Sequence, residues 1–251
     1  MNDPLHSRRR LDLPGLYNMR DVGGYATEDG RVTRWRTLVR SNSPHRLSPA
    51  SQQTLIDYGI RTVIDLRTTD ETLEEPDVFS GSSKVSYVHH NMVGDLTLDD
   101  PPEELGRAGR VAYSYSQILD ARQASIGVTL ATLAVPGVLP AIYHCAGGQD
   151  RTGIISALLL GMAGVPEDTI AEDYGLTARY QVDHYLSEDR PSYELPAGYT
   201  LEAYLTERCP PETMLLTLRH LKERYGGVGS YVRGASSNDT EMESLRQAIV
   251  E

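Results

Sequence analysis

The 251-residue sequence predicts an α/β fold, a mainly parallel central sheet with helices on both faces. Three observations carry this. Short apolar, β-branched runs alternate along the chain with segments of helical pattern, the order that builds parallel sheets with helical crossovers. The length suits one large core better than two small ones, so residues 1–251 are expected to form a single domain. A third sign is the decapeptide HCAGGQDRTG at 144–153, set between a strand and an apolar helix. In open α/β sheets, ligands sit at the carboxyl ends of the strands.

Taken in order, residues 1–15 read as an N-terminal arm. Asn18-Met-Arg-Asp followed by Gly23-Gly24 reads as a turn cluster. Residues 36–41 form a short strand. Residues 48–58 form a helix, with Ser48 as N-cap, Pro49 in the first turn and Gly59 past the end. The run RTVIDL at 61–66 is a buried strand, and 85–90 is another. The stretch GDLTLDDPPEELGRAG at 94–109 is acidic, rich in Pro and Gly, and expected to be mobile. A helical stretch runs from there to about 133. Residues 138–144 form a strand and 151–164 a helix. Residues 167–189, 211–225 and the tail from 241 complete the helices. Segments 94–134 and 166–210 are candidate lid or insertion elements.

The formal net charge of −11 argues against nucleic acid and anionic membrane as partners, since both require a basic surface. An anionic ligand must therefore be held by local donors. Two cysteines, Cys145 and Cys209, make no disulfide framework and point to a reducing compartment. The start, MNDPLHSRRRLDLPG, has no apolar signal region, and no run reaches membrane-spanning length. The expected location is the cytoplasm, with export by a signal-independent route left open. The oligomeric state is not written in the sequence.

The decapeptide has the chemistry of an anion site. A loop at a helix N-terminus converges N–H donors on one point and adds the helix dipole. Gly147 and Gly148 let the backbone curl without a Cβ. Ala146, Gly147, Gly148, Gln149, Asp150 and Arg151 are the candidate phosphate ligands, with the planar guanidinium of Arg151 able to clamp two oxygens. Cys145 lies at the floor, where amides, dipole and arginine favour its thiolate, and a thiolate under a phosphate is a nucleophile in line for phosphorus. Thr152 is placed to donate to that sulfur, and His144 to hold the loop backbone. Asp150 is the candidate acid for the leaving oxygen. Its arginine neighbour favours the charged carboxylate, so it needs a compensating environment to keep its proton.

Other loop types fail. Gly148 and Gly153 have the spacing of a nucleotide loop, but Ile154-Ile155 replaces the required Lys-Ser/Thr. No GxSxG elbow, CxxC pair or HExxH is present, and His89-His90 point to opposite faces of a strand, so neither metal nor cofactor is expected. A sulfur-transfer loop also uses a cysteine, but the Arg-Thr-Gly ending favours phosphate. A phosphate-binding module would not need the cysteine.

Cys145-Ala-Gly-Gly-Gln-Asp-Arg151 is a Cys-x5-Arg signature of cysteine-based phosphatases. The wider pattern comprises Asn18-Met-Arg-Asp-Val-Gly-Gly-Tyr25, Leu38-Val-Arg-Ser41 and Gly59-Ile-Arg-Thr-Val-Ile-Asp-Leu-Arg67, with Pro211 to Gly227 beyond. From about residue 12 it resembles the bacterial tyrosine-phosphatase family typified by the secreted mycobacterial type B enzyme. The resemblance implies a protein-tyrosine-phosphatase-like fold, a cysteinyl-phosphate mechanism, no metal, and the roles above for Cys145, Asp150 and Arg151. Many members carry Lys at the position of Gln149, where it is associated with activity on phosphoinositides. Gln149 removes that charge from the loop rim and favours phosphotyrosine.

The expected substrate is therefore a phosphorylated protein, with a dual-specificity, phosphoinositide or other small-phosphoester activity as the alternative. Arg20 and Asp21 either buttress the loop or pair with each other. Arg67 reads as a structural ion-pair partner, and Asp65 as a loop cap or reserve acid. Asp95, Asp99 and Asp100 could bring an acid from a lid, although a solvated loop is the plainer reading. Tyr174, Tyr180 and Tyr185 lie on a helix that could cover the site or pack into the core. If no metal takes part, exhaustive EDTA treatment should leave phosphatase activity unchanged. Loss in EDTA with recovery on one specific divalent ion would refute this.

Overall fold

The strands alternate in what they bury, and this sorts the molecule into two layers around one sheet. The computed structural model describes residues 8–186, 200–236 and 238–251. Five strands, β1 (Arg20–Asp21), β2 (Leu38–Ser41), β3 (Thr62–Asp65), β4 (Ser86–His89) and β5 (Ala141–His144), lie in the order β1-β2-β5-β3-β4. Among these described strands, only the β1–β2 pair is antiparallel. Leu38, Ile64, Ala141 and Tyr143 enter one apolar cluster, while Val39, Val63 and Ile142 enter the other. This is the period-2 rule at work in strands covered on both faces.

Ten helices are described: α1 (Pro49–Tyr58), α2 (Thr69–Glu74), α3 (Arg107–Ala121), α4 (Gln123–Ala134), α5 (Asp150–Ala163), α6 (Glu167–Leu186), α7 (Leu201–Glu207), α8 (Pro211–Tyr225), α9 (Val228–Ala235) and α10 (Asp239–Ile249). The faces are covered unequally. Leu55 of α1 joins Leu16, Met19, Phe79 and Val85 over the thinner side. Helices α3–α10 supply the thicker one, around Leu158, Leu130, Leu119, Tyr174, Met214 and Leu245. Helix α5 is apolar all round because it is buried all round, from Thr152 to Leu160. No described helix is long and apolar enough to cross a membrane.

The expected elements are present, with local corrections. Ser48 caps α1 by accepting from the Ser51 N–H, and Gly59 ends it in the left-handed region. The helical stretch to 133 is two helices broken at Arg122, whose guanidinium Nε donates to the Met92 carbonyl at 3.1 Å. Helices α2, α7 and α9 were not anticipated; each is eight residues or fewer, too short to show a helical period. From Arg9 onward the expected arm is docked: the Arg9 guanidinium is buried, stacks 3.6 Å from the Tyr25 ring and donates to the Gly23 carbonyl. The segment before α3 is tied down too, since Gln117 accepts from the Asp99 N–H at 2.7 Å and donates to its carbonyl. Within the two expected lid segments, α3, α4 and α6 contribute core side chains such as Ile118, Leu130 and Ile170. Residues 187–189, expected to extend α6, lie outside the described residues.

One close approach is a sharp test of the helical layer. A Cβ at Gly127 of α4 would lie 2.0 Å from the Ala235 carbonyl oxygen at the end of α9. In a free helix, alanine is favoured over glycine by about 1 kcal/mol. Here overpacking should cost about 1–3 kcal/mol and reverse the sign. Gly127→Ala should therefore lower Tm in thermal denaturation; a raised Tm would mean that these helices are not held in contact.

Candidate active site

Strand β5 ends at His144, in register with Ser41 of β2 and Asp65 of β3, so the decapeptide leaves the sheet at its carboxyl edge, between two neighbours. Cys145 follows at once and is only 2% exposed. The loop then turns into α5, whose first N–H groups have no partner within the helix and carry the positive end of its dipole.

Every carbonyl along the turn is held from outside. The Ser43 N–H donates to the Ala146 carbonyl at 2.9 Å. Asn18 Nδ2 donates to the Gly147 and Gly148 carbonyls at 2.9 and 3.0 Å. Gln181 Nε2 donates to Gly147 at 2.7 Å, and Arg40 Nη2 to Gly148 at 2.9 Å. A trans planar peptide sets its N–H opposite its C=O. The N–H groups of Gly147, Gly148 and Gln149 are therefore turned inward. Gly148 must be glycine: its φ is +68°, and a Cβ there would lie 2.4 Å from the Ser41 carbonyl oxygen.

The donors are themselves held by buried charge. Arg20 Nε reaches Asp173 Oδ1 at 3.0 Å, and Arg40 Nη1 reaches Asp173 Oδ2 at 2.6 Å. All three residues are buried. Arg20 also donates to Asn18 Oδ1 at 2.7 Å, which leaves the Asn18 amide nitrogen facing the loop. Burial by itself would raise the Asp173 carboxyl, but the two guanidiniums outweigh it and hold the group well below the usual carboxylate range. One carboxylate against two guanidiniums leaves a net positive charge behind a loop that faces its N–H groups the other way.

Arg151 is oriented by a residue that sequence reasoning missed. Glu71, in the first turn of α2, accepts from both Nη atoms of Arg151, at 2.8 Å for Nη2. Glu71 is fixed in turn by a capping box, with the Thr68 N–H donating to Glu71 Oε2 at 2.7 Å and the Glu71 N–H to Thr68 Oγ1. Burial would raise its carboxyl, but the Arg151 and Thr68 hydrogen bonds bring it down to about 2. An arginine has five N–H donors, so the edge formed by Nε and Nη2 keeps donors for an anion. Asp150 is exposed, and its Oδ1 accepts from the Tyr115 hydroxyl at 2.6 Å; that hydroxyl lies 2.9 Å from the Tyr174 hydroxyl. These hydroxyls fix the direction of the Asp150 carboxylate; a hydroxyl that donates to it favours its charged form, so they are not the proton-keeping environment that the sequence called for.

The structure also places the other expected residues. His144 holds the loop as anticipated, with Nδ1 3.2 Å from the Cys145 carbonyl oxygen. Thr152 Oγ1 is buried without a hydrogen-bond partner, so it does not donate to the sulfur. Gln149 is 6% exposed and so is not a rim residue; its side chain is folded inward, with Nε2 donating to Asp150 Oδ1 at 3.4 Å. Arg20 and Asp21 do not pair with each other. Asp21 instead accepts from the N–H groups of Gly23 and Arg36 and from the Tyr58 hydroxyl, away from the loop. Asp65 is committed to Arg67 through Nε and Nη2 and to the Tyr87 hydroxyl. Burial would raise it, but His144 and Arg67 hold it at about 2, which removes it as a reserve acid. Asp95, Asp99 and Asp100 are exposed. Tyr174 and Tyr180 are buried, Tyr174 with its hydroxyl against that of Tyr115; the side chain of Tyr185 lies outside the described residues.

Asp65, Asp77 and His144 also approach one another, their ligand-type atoms lying within 4.8 Å. Three distant segments build this cluster, so no local spacing reveals it. Arg67 already occupies Asp65, and His144 Nε2 lies 3.1 Å from Asp77 Oδ2, with all three groups of the cluster buried.

A parallel sheet that delivers a cysteine into an amide-lined, arginine-closed loop defines the chain as a phosphatase. It belongs to the tyrosine phosphatase family, whose model matches residues 11–251. It is 27% identical to a tyrosine-protein phosphatase of Nostoc commune over 83% of this chain and 72% of that one. It is 24% identical to the triple specificity protein phosphatase PtpB of Mycobacterium tuberculosis, over 95% of this chain and 98% of the relative. The crystal structure of P. aeruginosa TpbA aligns with 96% of this chain and 94% of its own at a TM-score of 0.36 and 16% identity, too loose a match to decide the fold.

Removing the shared carboxylate should expose how much rests on it. Asp173→Ala leaves two buried guanidiniums unpaired, a loss of about 3–5 kcal/mol. Chemical denaturation should show that loss, and kcat/KM should fall with it as Asn18 and Arg40 lose their places. A variant with wild-type stability would show that Asp173 does not hold the two arginines.

Proposed function

We propose that this phosphatase hydrolyses phosphotyrosine in proteins through a cysteinyl-phosphate intermediate on Cys145. The observation that carries the reading is the outward tethering of three successive loop carbonyls above that residue. It supports a cradle of inward N–H donors for the equatorial phosphate oxygens, completed by the free edge of Arg151. In the first step the Cys145 sulfur attacks phosphorus, the bond from phosphorus to the tyrosyl oxygen breaks, and Asp150 gives that oxygen its proton. In the second, water attacks the thiophosphate, the S–P bond breaks, and Asp150 takes the proton from the water. The Tyr115 hydroxyl positions Asp150 for both steps. The name of the M. tuberculosis relative, a triple specificity phosphatase, favours a second reading in which other phosphoesters are also turned over.

Cys145→Ser should abolish turnover while inorganic phosphate or vanadate still binds, because a serine hydroxyl is not ionised at neutral pH and the cradle is untouched. Near-wild-type turnover in this variant would refute the covalent route. Asp150→Asn should lower kcat by roughly 10² to 10⁴ on tyrosyl peptides, the usual worth of general acid catalysis. The loss should be much smaller on an aryl phosphate whose leaving group is already acidic. Equal losses on the two substrates would move the acid role elsewhere.

A further inference from the structure

A cleft of about 320 Å³ opens beside Asp150, and the chemistry above makes no use of it. Its walls are Leu98 and Pro101 on one side and Arg110, Val111, Ser114, Tyr115 and Ile118 of α3 on the other. Positions 111, 115 and 118 stand at helical spacing, so α3 turns one apolar stripe toward the cleft. The opposite wall is held in place, because Gln117 of α3 grips both backbone polar groups of Asp99. Leu98 is 38% exposed, a large apolar side chain at a surface otherwise rich in carboxylates. The volume lies at the small end of ligand sites, which run from about 300 Å³.

We propose that this cleft is a second substrate subsite, which takes an apolar side chain next to the phosphotyrosine. The inference rests on the reading of Asp150 as the acid. An acid must face the leaving oxygen, so whatever that oxygen is attached to leaves the loop past Asp150. Asp150 and the ring of Tyr115 belong to both places, so the apolar walls begin where the substrate chain departs. Charge narrows the choice further. Arg110 also lines the cleft, with Nη1 turned to the Pro102 carbonyl, but Asp95, Asp99, Asp100, Glu103 and Glu104 along the segment that forms the other wall outnumber it, so an acidic residue beside the phosphotyrosine is repelled there. The subsite selects aliphatic over small residues, and small over acidic.

The test compares kcat/KM on phosphotyrosine peptides carrying leucine, alanine or aspartate beside the phosphorylated residue, with a small aryl phosphate as reference. The wild type should favour leucine over alanine by about tenfold, the usual worth of a filled apolar pocket, and should place aspartate last. Ser114→Phe, which fills the cleft, and Leu98→Ala, which removes an exposed wall, should both flatten the series. Both should leave the rate on the small aryl phosphate within about twofold of wild type, since neither touches the loop. Equal rates across the wild-type series, or a preference that survives both variants, would overturn the subsite. A failure of the loop chemistry itself looks different: neither the peptides nor the aryl phosphate would be turned over, and the proposal would fall with it.

Discussion

One carboxylate shared by two buried guanidiniums organises this molecule. Asp173 on α6 binds Arg20 of β1 and Arg40 of β2, which are neighbours across the antiparallel edge of the sheet. Charges this deep are expensive, and they persist only when their hydrogen bonds are nearly complete. Arg20 meets that demand with Asn18, Asp173 and Thr177, and the Tyr25 hydroxyl adds another donor to Asp173. The consequence reaches the loop directly. Arg40 and Asn18 hold the Gly148 carbonyl, so the turn of the loop and the placement of α6 are set by the same cluster.

The loop arginine illustrates a different balance. Glu71 holds Arg151 by its two terminal nitrogens, which fixes its direction but offsets its charge. Anion binding then leans on what is not offset: the inward amides, the dipole of a 14-residue helix and the excess positive charge around Asp173. This explains how a chain of net charge −11 can keep a site for phosphate. Such a field is local, built from oriented dipoles within a few ångströms, and the acidic surface barely reaches it through intervening water.

Much of the architecture was legible before any coordinates. Short apolar, β-branched runs marked the strands, Ser48 and Gly59 marked the ends of α1, and the Cys145 to Arg151 spacing marked the loop at a strand–helix junction. Some missed residues had signals. Thr68-Thr-Asp-Glu71 is a capping box on its face, and arginines inside strands, such as Arg20 and Arg40, demand buried partners. Others had none: Tyr115 lies 35 residues from Asp150, and Asp173 lies 133 from Arg40, so no local pattern links them.

By itself, the sequence determined the fold class, the family, the position of the loop and the chemical identity of its cysteine, aspartate and arginine. All of these depend on order along the chain: periodicity, capping and the five residues between Cys145 and Arg151. Only the tertiary structure decided which way the loop peptides face, that Gln149 is buried, that Asp65 is spent on Arg67, and that Glu71 and Tyr115 hold Arg151 and Asp150. Those outcomes depend on direction and burial. A side chain's direction is set by what packs against it from segments far away in sequence, and a charge's state by how completely those segments exclude water.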